Sequence, residues 1–325
     1  MKESGQDKKG VLLVGSNKFT YSIALCLLGA GHPVVLVTQD CESAINYFQL
    51  YTTDNLHGRE QEKLKITSDL HFEDRISMVI AVTKEDLLVK RELIESLEKV
   101  IPMDVLIAIN TESFPLSDLQ IGASAPERIL GANWVEPANT TFFLEIIANR
   151  TTRQSLVDYF YDSAAGSWGK DPYVIHGDSG IRMRLLAAMI REAFYLIKND
   201  YANVEDIDRA CRNDAGYYLP FAGNLRYMDL MGTYAYGMVM KDLNPELAKD
   251  QDAPAFFNTM IKNGQLGMES GTGFYGYQPG EREKWEVLLN RFSHQIGDLI
   301  EKYPFNYKTE EPDIDISALH SENRL

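Results

Sequence analysis

The sequence predicts an α/β fold in which a doubly wound, mostly parallel sheet is followed by an all-α domain. The stretch 11–40 (VLLVGSNKFTYSIALCLLGAGHPVVLVTQD) reads as a buried strand, a tight turn, a helix and a second strand. Short apolar runs then alternate with helical segments up to about residue 150, which is the pattern of parallel strands joined by crossover helices. Beyond residue 180, apolar residues recur every three or four positions, as in helices.

The predicted strands are short and almost entirely apolar, which is typical of a sheet covered on both faces. They are 11–14, 33–37, 64–66, 78–82, 105–109, 130–134 and 142–147. Helices are predicted between them wherever apolar residues follow helical spacing. They are 20–30, 41–50 and 85–100. The opening strand–helix–strand unit therefore predicts a Rossmann-like N-terminal domain.

The second half of the chain is predicted to be helical. Segments 181–199 and 204–212 have the spacing of amphipathic helices, and 281–303 carries one apolar stripe. The stripe consists of Trp285, Leu288, Leu289, Phe292, Ile296, Leu299 and Tyr303. We interpret it as a helix packed on its own domain or on a partner subunit. The predicted divisions are a sheet domain (1–178), a helical dimerisation-type domain (179–277), and an additional helix with an acidic tail from Lys308 (278–325).

Charge and cysteine content exclude several classes of partner. The formal charge of −15 and the pI of about 4.9 argue against nucleic acid and anionic membranes, which require basic surfaces. Cys26, Cys41 and Cys211 are scattered, so we expect neither a disulfide framework nor a metal site. The polar start MKESGQDKKG and the lack of a long apolar run predict a cytoplasmic protein without a membrane span.

The turn after the first strand departs from the G-x-G-x-x-G pattern of dinucleotide-binding domains. It reads Gly15-Ser16-Asn17-Lys18-Phe19-Thr20, so only the first glycine is present. The second glycine normally lets the backbone approach a pyrophosphate, and the third allows close helix–strand packing. Asn17 and Thr20 place side chains at both points. A helix N-terminus still attracts anions through its free amides, and anion binding therefore remains open.

Several later segments follow the order of one known family. AVTKEDLLVKREL (81–93) is similar to A-V-x-E-N-x-x-x-K-x-x-L, and IAINTESFPLSDL (107–119) to S-N-T-S-S-x-x-x-x-x-L. GANWVEPANTTFFLEIIANRTT (131–152) is similar to G-x-H-F-F-N-P followed by x-L-V-E-V, GDSGIRMRLL (177–186) to D-x-P-G-F-x-x-N-R, and GTGFYGY (271–277) to G-K-G-F-Y-x-Y. Over residues 11–277 the chain resembles the 3-hydroxyacyl-CoA dehydrogenase family.

The resemblance implies an NAD-dependent oxidoreductase of fatty acid metabolism, with an acyl-CoA ligand and a homodimer formed through the helical domain. The positions it implies for cofactor binding are Gly15, Asn17, Thr20, Thr38, Glu85 and Asn110. Thr38 occupies the place of the acid that binds the ribose, whereas Glu85 retains the family's acidic residue. Residues 39–63 are also shorter than the helical excursion with which the family contacts CoA.

The family's catalytic positions are changed. On this alignment Asn133 replaces the catalytic histidine, Glu112 (or Ser113) marks the substrate-binding serine, and Met183 replaces the catalytic asparagine. Only the dyad glutamate is retained, as Glu145. An amide has no useful pKa near neutrality and cannot replace imidazole as the general base. The family reaction is therefore predicted to be impaired or lost.

Relocated acid–base groups are weaker alternatives. His176 is the best-placed histidine, His294 reads as structural, and Glu112 with Glu145 could form a carboxylate pair in which one pKa is raised. An enzyme of different chemistry in the same cleft has little support beyond these two glutamates, and two main hypotheses remain open. One is a divergent NAD-dependent dehydrogenase with a rearranged site, and the other is a non-catalytic binding, regulatory or assembly protein that uses the same fold.

Overall fold

The computed structural model describes residues 8–55, 62–70 and 76–303. The chain divides into two compact units between Ala188 and Met189. The first unit contains one eight-stranded sheet in the order β3-β2-β1-β4-β5-β6-β7-β8. The strands are β1 Gly10–Val14, β2 Val34–Val37, β3 Leu64–Thr67, β4 Ile76–Ala81, β5 Leu106–Ile109, β6 Ile129–Trp134, β7 Phe143–Ala148 and β8 Asp171–His176.

The strands are parallel from β3 to β6, and β7 then runs antiparallel to β6 and parallel to β8. The central strands are buried because helices cover both faces of the sheet, as their apolar sequences predict. The helices of this unit are α1 Lys18–Gly29, α2 Cys41–Asn55, α3 Leu87–Glu98, α4 Leu116–Gln120 and α5 Gln154–Ser167. A 3₁₀ turn, Pro126–Arg128, precedes β6.

The second unit is helical, and α6 Arg182–Lys198 contains the division between the units. The remaining helices are α7 Val204–Ala210, α8 Gly216–Met231, α9 Thr233–Leu243, α10 Ala255–Lys262 and α11 Glu281–Lys302. A π-helical segment, Cys211–Ala215, joins α7 to α8. Few side chains of this unit are buried, whereas many large apolar ones are exposed.

The predicted α/β sheet domain followed by an all-α domain is confirmed. The strand β8 is not among the strands predicted above. Its sequence, DPYVIH, contains a proline and mixes polar with apolar residues, as an edge strand can. The acidic tail from Lys308 lies outside the described residues. Within the described part of the chain, no helix has the length and apolar character required to cross a membrane.

Candidate active site

The turn after β1 is built around Gly15. Its φ is +156°, and a Cβ atom at this position would overlap the Thr20 hydroxyl and lie 2.7 Å from the carbonyl oxygen of Val82. Asn17 is the N-cap of α1, and its Oδ1 accepts hydrogen bonds from the backbone amide and the hydroxyl of Thr20, both at 2.8 Å. The residues that replace the two family glycines are therefore bonded to each other.

The end of β2 is closed by a tyrosine from α1. Thr38 is buried, and its hydroxyl lies 3.3 Å from the Tyr21 hydroxyl, which donates to the Asp40 carbonyl at 3.2 Å. The Asp40 carboxylate instead accepts from the amide of Ser43 at 3.0 Å. Hydrogen bonds from the Ser43 side chain and backbone lower the pKa of Asp40. The two residues nearest the ribose position are thus engaged within the protein.

The pyrophosphate end of NAD fits this turn better than the ribose end does. Gly15 has no side chain at the tightest point of the turn, and α1 begins without an acidic residue in its first turn, so its N-terminus favours an anion. At the ribose end Thr38 is neutral, and Asp40 is the nearest carboxylate in sequence. The residues that would hold NAD are accordingly those of the Gly15–Asn17 turn, whereas Thr38 and Asp40 at the ribose end are already bonded within the protein.

A buried lysine, Lys90, bonds residues that follow the ends of β4 and β5. The side chain of Lys90 is fully buried, and its Nζ donates to the carbonyl oxygen of Asn110 at 2.8 Å and to Asn110 Oδ1 at 3.1 Å. It also pairs with Glu85 Oε2 at 3.0 Å. Burial lowers the pKa of Lys90, against the opposing charge of Glu85. The Asn110 amide also bonds the backbone of Thr83 in both directions, so Asn110 joins two strand ends.

Glu85 fixes the loop that follows β5. Its Oε1 accepts from the backbone amides of Glu112 (3.0 Å) and Ser113 (2.7 Å) and from the Ser113 hydroxyl (3.0 Å). Burial alone would raise the pKa of Glu85, but the hydrogen bonds from Ser113 and Lys90 outweigh it and lower the pKa. Glu85 therefore stays charged and positions the loop, and the Ser113 hydroxyl is directed at Glu85.

Asn133 occupies the centre of the site. It lies on β6 directly opposite Glu145 on β7 and is almost completely buried. Its Nδ2 donates to the Thr111 carbonyl at 2.9 Å and to Glu145 Oε2 at 3.0 Å, and its Oδ1 accepts from the Thr111 amide at 2.8 Å. Both amide hydrogens and the oxygen are used. The side chain therefore extends the strand pairing and offers no group that could take up a proton.

Glu145 is completely buried and holds the start of α6. Its Oε1 accepts from the Tyr173 hydroxyl at 2.9 Å and from the backbone amides of Ile181 (2.8 Å) and Arg182 (3.2 Å). Burial, and then the charge of Glu145, raise the pKa of Tyr173, which is therefore a neutral donor. A Cβ atom on Gly180 would overlap the Glu145 carboxylate. Four donors thus surround this carboxylate, counting Asn133.

Arg182 connects the remaining positions. Its Nη1 lies 3.0 and 3.1 Å from the two carboxylate oxygens of Glu112, and both side chains are about a quarter exposed (28% and 24%). The same nitrogen lies 3.2 Å from Met183 Sδ. Burial raises the pKa of Glu112, and Arg182 opposes this shift. The guanidinium also lies over the Phe143 ring, 5.9 Å from its centroid.

The four predicted catalytic positions are therefore joined in one network, because Asn133 bonds Glu145 and Arg182 contacts Glu145, Glu112 and Met183. Glu112 and Glu145 both bond Arg182, one through its side chain and the other through its backbone. Sequence reasoning missed Tyr173, Gly180 and Arg182. The basic residue beside the aligned Met183 could have indicated the last of these.

The histidines considered as relocated bases lie elsewhere. His176 is exposed at the end of β8, paired in register with Ala148, and His294 lies on α11 in the second unit. Among the described residues, no three His, Cys, Asp or Glu side chains gather in a metal-binding arrangement. The acid–base groups that the site contains are therefore carboxylates and a tyrosine.

Comparison with known protein families supports the interpretation of this arrangement. Residues 10–179 match the model of the 3-hydroxyacyl-CoA dehydrogenase NAD binding domain, and residues 181–277 match that of the 3-hydroxyacyl-CoA dehydrogenase C-terminal domain. This chain belongs to the 3-hydroxyacyl-CoA dehydrogenase family. The resemblance read from the motifs is confirmed, and so is NAD as the cofactor of the family domain that the chain carries.

Curated relatives of the family are distant. The chain is 28% identical over 204 residues to 5-formyl-3-hydroxy-2-methylpyridine 4-carboxylate 5-dehydrogenase of Mesorhizobium japonicum, covering 62% of the chain and 66% of that protein. It is 28% identical to 3-hydroxybutyryl-CoA dehydrogenase of Mycobacterium tuberculosis, covering 69% and 79%. It spans 30% of the length of the fatty acid oxidation complex subunit alpha of Shewanella frigidimarina, at 26% identity over 69% of the chain.

Solved structures show the same fold. The crystal structure of an NAD+-dependent dismutase, a dehydrogenase of 5-formyl-3-hydroxy-2-methylpyridine 4-carboxylic acid, superposes with a TM-score of 0.81 at 22% identity. This match covers 90% of the chain and 98% of that structure. At such low identity, the likeness establishes the fold and leaves the reaction to be argued from the site.

Proposed function

We propose that this chain is an NAD-binding member of the 3-hydroxyacyl-CoA dehydrogenase family in which the NAD-dependent oxidation of 3-hydroxyacyl-CoA is impaired or lost. The observation that carries the proposal is the bonding of Asn133, whose amide group is fully occupied by Thr111 and Glu145. Where the family has a histidine that exchanges a proton, this chain has a buried asparagine whose side chain is held by hydrogen bonds.

The family reaction removes a hydride from the C3 carbon and a proton from its hydroxyl group. NAD, when bound, supplies the hydride acceptor. The proton needs a base within hydrogen-bond distance of the hydroxyl group. Asn133 cannot accept this proton, and the absence of a general base typically costs about 10²- to 10⁴-fold in rate. The loss of this one group therefore suffices for a large defect.

The neighbouring groups do not replace the histidine. Glu145 is fully buried, and its two carboxylate oxygens already accept hydrogen bonds from four donors. Tyr173 already donates its proton to Glu145. Glu112 is more accessible, but a carboxylate beside the reacting oxygen repels the alkoxide that forms there.

The test has two steps. NADH and NAD+ are titrated into the purified protein by calorimetry, and NADH oxidation is then followed with acetoacetyl-CoA. We expect saturable cofactor binding without measurable turnover. Turnover at a rate typical of enzymes, about 1–10³ s⁻¹, would contradict the proposal. The absence of cofactor binding would contradict only the part of the proposal that says the chain binds NAD.

The variant Asn133→His tests whether the missing histidine alone prevents the family reaction or whether the other changed positions prevent it as well. Histidine cannot reproduce the paired bonds to the Thr111 backbone, and Glu112 and Met183 remain at the other two positions. We therefore expect the variant to show no acetoacetyl-CoA reduction. Activity in Asn133→His would mean that the remaining site is intact and that the family reaction was lost through one substitution.

A non-catalytic binding, regulatory or assembly role is the second candidate. It is favoured by the closed network, because each of the aligned catalytic side chains already has a partner inside the protein.

We also propose that the chain forms a cytoplasmic homodimer through its helical domain. The exposed apolar side chains of α8 and α9, among them Tyr217, Leu225 and Tyr234, support that part of the proposal.

A further inference from the structure

The helix α11 begins after residue 277, where the match to the family's C-terminal domain ends. Along it, six apolar residues follow one another at spacings of four, three, four, three and four residues. They are Trp285, Leu289, Phe292, Ile296 and Leu299 on the helix and Tyr303, which directly follows its last residue. This is the a/d repeat of a coiled coil, and it extends over about 27 Å at 1.5 Å per residue. We call these six residues the α11 seam.

The seam is not the face that α11 turns to its own unit. The residues covered by that unit lie on a neighbouring face and are mostly small or polar, and Gly297 is the buried one among them. They are Arg282, Glu286, Asn290, Ser293, Gly297 and Ile300, and Ile296 is the one seam residue that is partly covered beside them. A surface helix normally buries its apolar stripe and exposes its polar face. Here the apolar stripe is the more exposed of the two.

The exposed part of the seam is large. Trp285, Phe292 and Tyr303 are 49%, 59% and 47% exposed, and Leu289 and Leu299 are each about half exposed. A buried aromatic side chain removes roughly 150–250 Å² from water, so these three rings alone leave on the order of 300 Å² uncovered. With the leucines added from both chains, the area approaches the roughly 1,200 Å² at which stable interfaces begin.

We propose that the α11 seam binds the α11 seam of a second copy of this chain, as an antiparallel helix pair. A two-fold axis near residue 294 gives each seam residue an apolar counterpart. Trp285 then faces Tyr303, Leu289 faces Leu299, and Phe292 faces Ile296. Such an interface is isologous, the usual form in symmetric dimers. The two leucines meet each other, and the bulky ring of Phe292 meets the smaller Ile296, which favours this register over a parallel one.

The seam predicts a specific cross-link. In a Cys41→Ser/Cys211→Ser background, Leu289→Cys and Leu299→Cys in one chain place two thiols opposite those of the partner. Mild oxidation should give a covalent species of twice the 36.8 kDa chain mass. The matched control carries Val287→Cys and Glu301→Cys, which are symmetric about the same axis but lie on the opposite, exposed side of α11. It should give none.

The strength of the contact is measured by sedimentation of the full-length chain. Phe292→Glu places a carboxylate in the seam and should weaken dimerisation by about 100-fold or more, because an unpaired charge in an apolar interface is costly. Val287→Glu, at an apolar position off the seam that is 45% exposed, should leave it unchanged. A monomeric wild type, equal cross-linking of both cysteine pairs, or an unaffected Phe292→Glu dimer would each overturn the proposal.

Discussion

Asn133 donates a 3.0 Å hydrogen bond to Glu145 across two antiparallel strands, at the register where the family has a histidine and a glutamate. The amide keeps the contact to the carboxylate but cannot exchange a proton. At the same time it ties β6 to the backbone of Thr111 through two further bonds. A position with a catalytic role in the family thus contributes to the stability of this fold.

Replacing Asn133 with alanine should therefore destabilise the protein. The variant leaves the Thr111 amide and carbonyl and one oxygen of Glu145 without these partners in a buried site. Each unsatisfied group costs about 1–3 kcal/mol, so we expect the free energy of unfolding to fall by roughly 3 kcal/mol or more. Urea unfolding followed by circular dichroism measures it. The exposed Gln39→Ala serves as the control, and an equal loss in both variants would contradict the role assigned to Asn133.

Gly180→Ala tests the packing of the Glu145 carboxylate. The added methyl group would overlap that carboxylate and force it, or the start of α6, to move. Overpacking of this kind costs about 1–3 kcal/mol. Gly166→Ala, on α5 with no atom within 4 Å of the new Cβ, should be neutral or slightly stabilising. The two effects are measured by thermal unfolding of both variants. If Gly180→Ala and Gly166→Ala change the stability to a similar extent, the contact with Glu145 is easily relieved.

Glu85 should make the stability depend on pH in a direction that follows from its lowered pKa. A carboxyl group whose pKa is lower in the folded state stabilises the protein above its unfolded pKa, and this contribution is lost as the pH falls through the folded value. Glu85→Gln should therefore reduce the free energy of unfolding by about 1–2 kcal/mol at pH 7 and by much less at pH 3. Urea unfolding at both pH values measures the difference.

Glu112→Gln, in the same loop, should not reduce the stability at pH 7 as Glu85→Gln does. The pKa of Glu112 is raised, so its charged form is less favourable in the folded protein than in the unfolded chain. Its replacement by neutral glutamine should leave the stability unchanged or slightly higher at pH 7. A marked loss at pH 7 would mean that the ion pair with Arg182 outweighs the burial of the carboxylate.

Much of the sheet could be predicted from the sequence because parallel strands covered on both faces appear as short apolar runs. The runs 11–14, 78–82 and 105–109 coincide with β1, β4 and β5 to within one or two residues. The edge strand β8 could not be found this way, because an edge is only half covered and tolerates proline and polar residues. The helical unit was recognised as helical, but its π-helical segment has no periodicity of its own.

The site was predictable as a set of positions and not as a network. The motifs led to Asn133, Glu145, Glu112 and Met183, but the sequence contains no sign that Thr111 completes the amide bonding through its backbone. Backbone partners of this kind depend on register and loop geometry. Likewise, Gly180 gave no signal, since the atom that it must avoid belongs to a side chain 35 residues away.

The bonding of Asn133 bears on how such a protein can change over evolutionary time. Reversal to histidine gains a base but gives up two bonds that now hold neighbouring strands together. Such a substitution would thus lower the stability of the fold at the same time as it introduced the base. At this position, any gain of a proton-exchanging group is therefore coupled to the stability of the sheet.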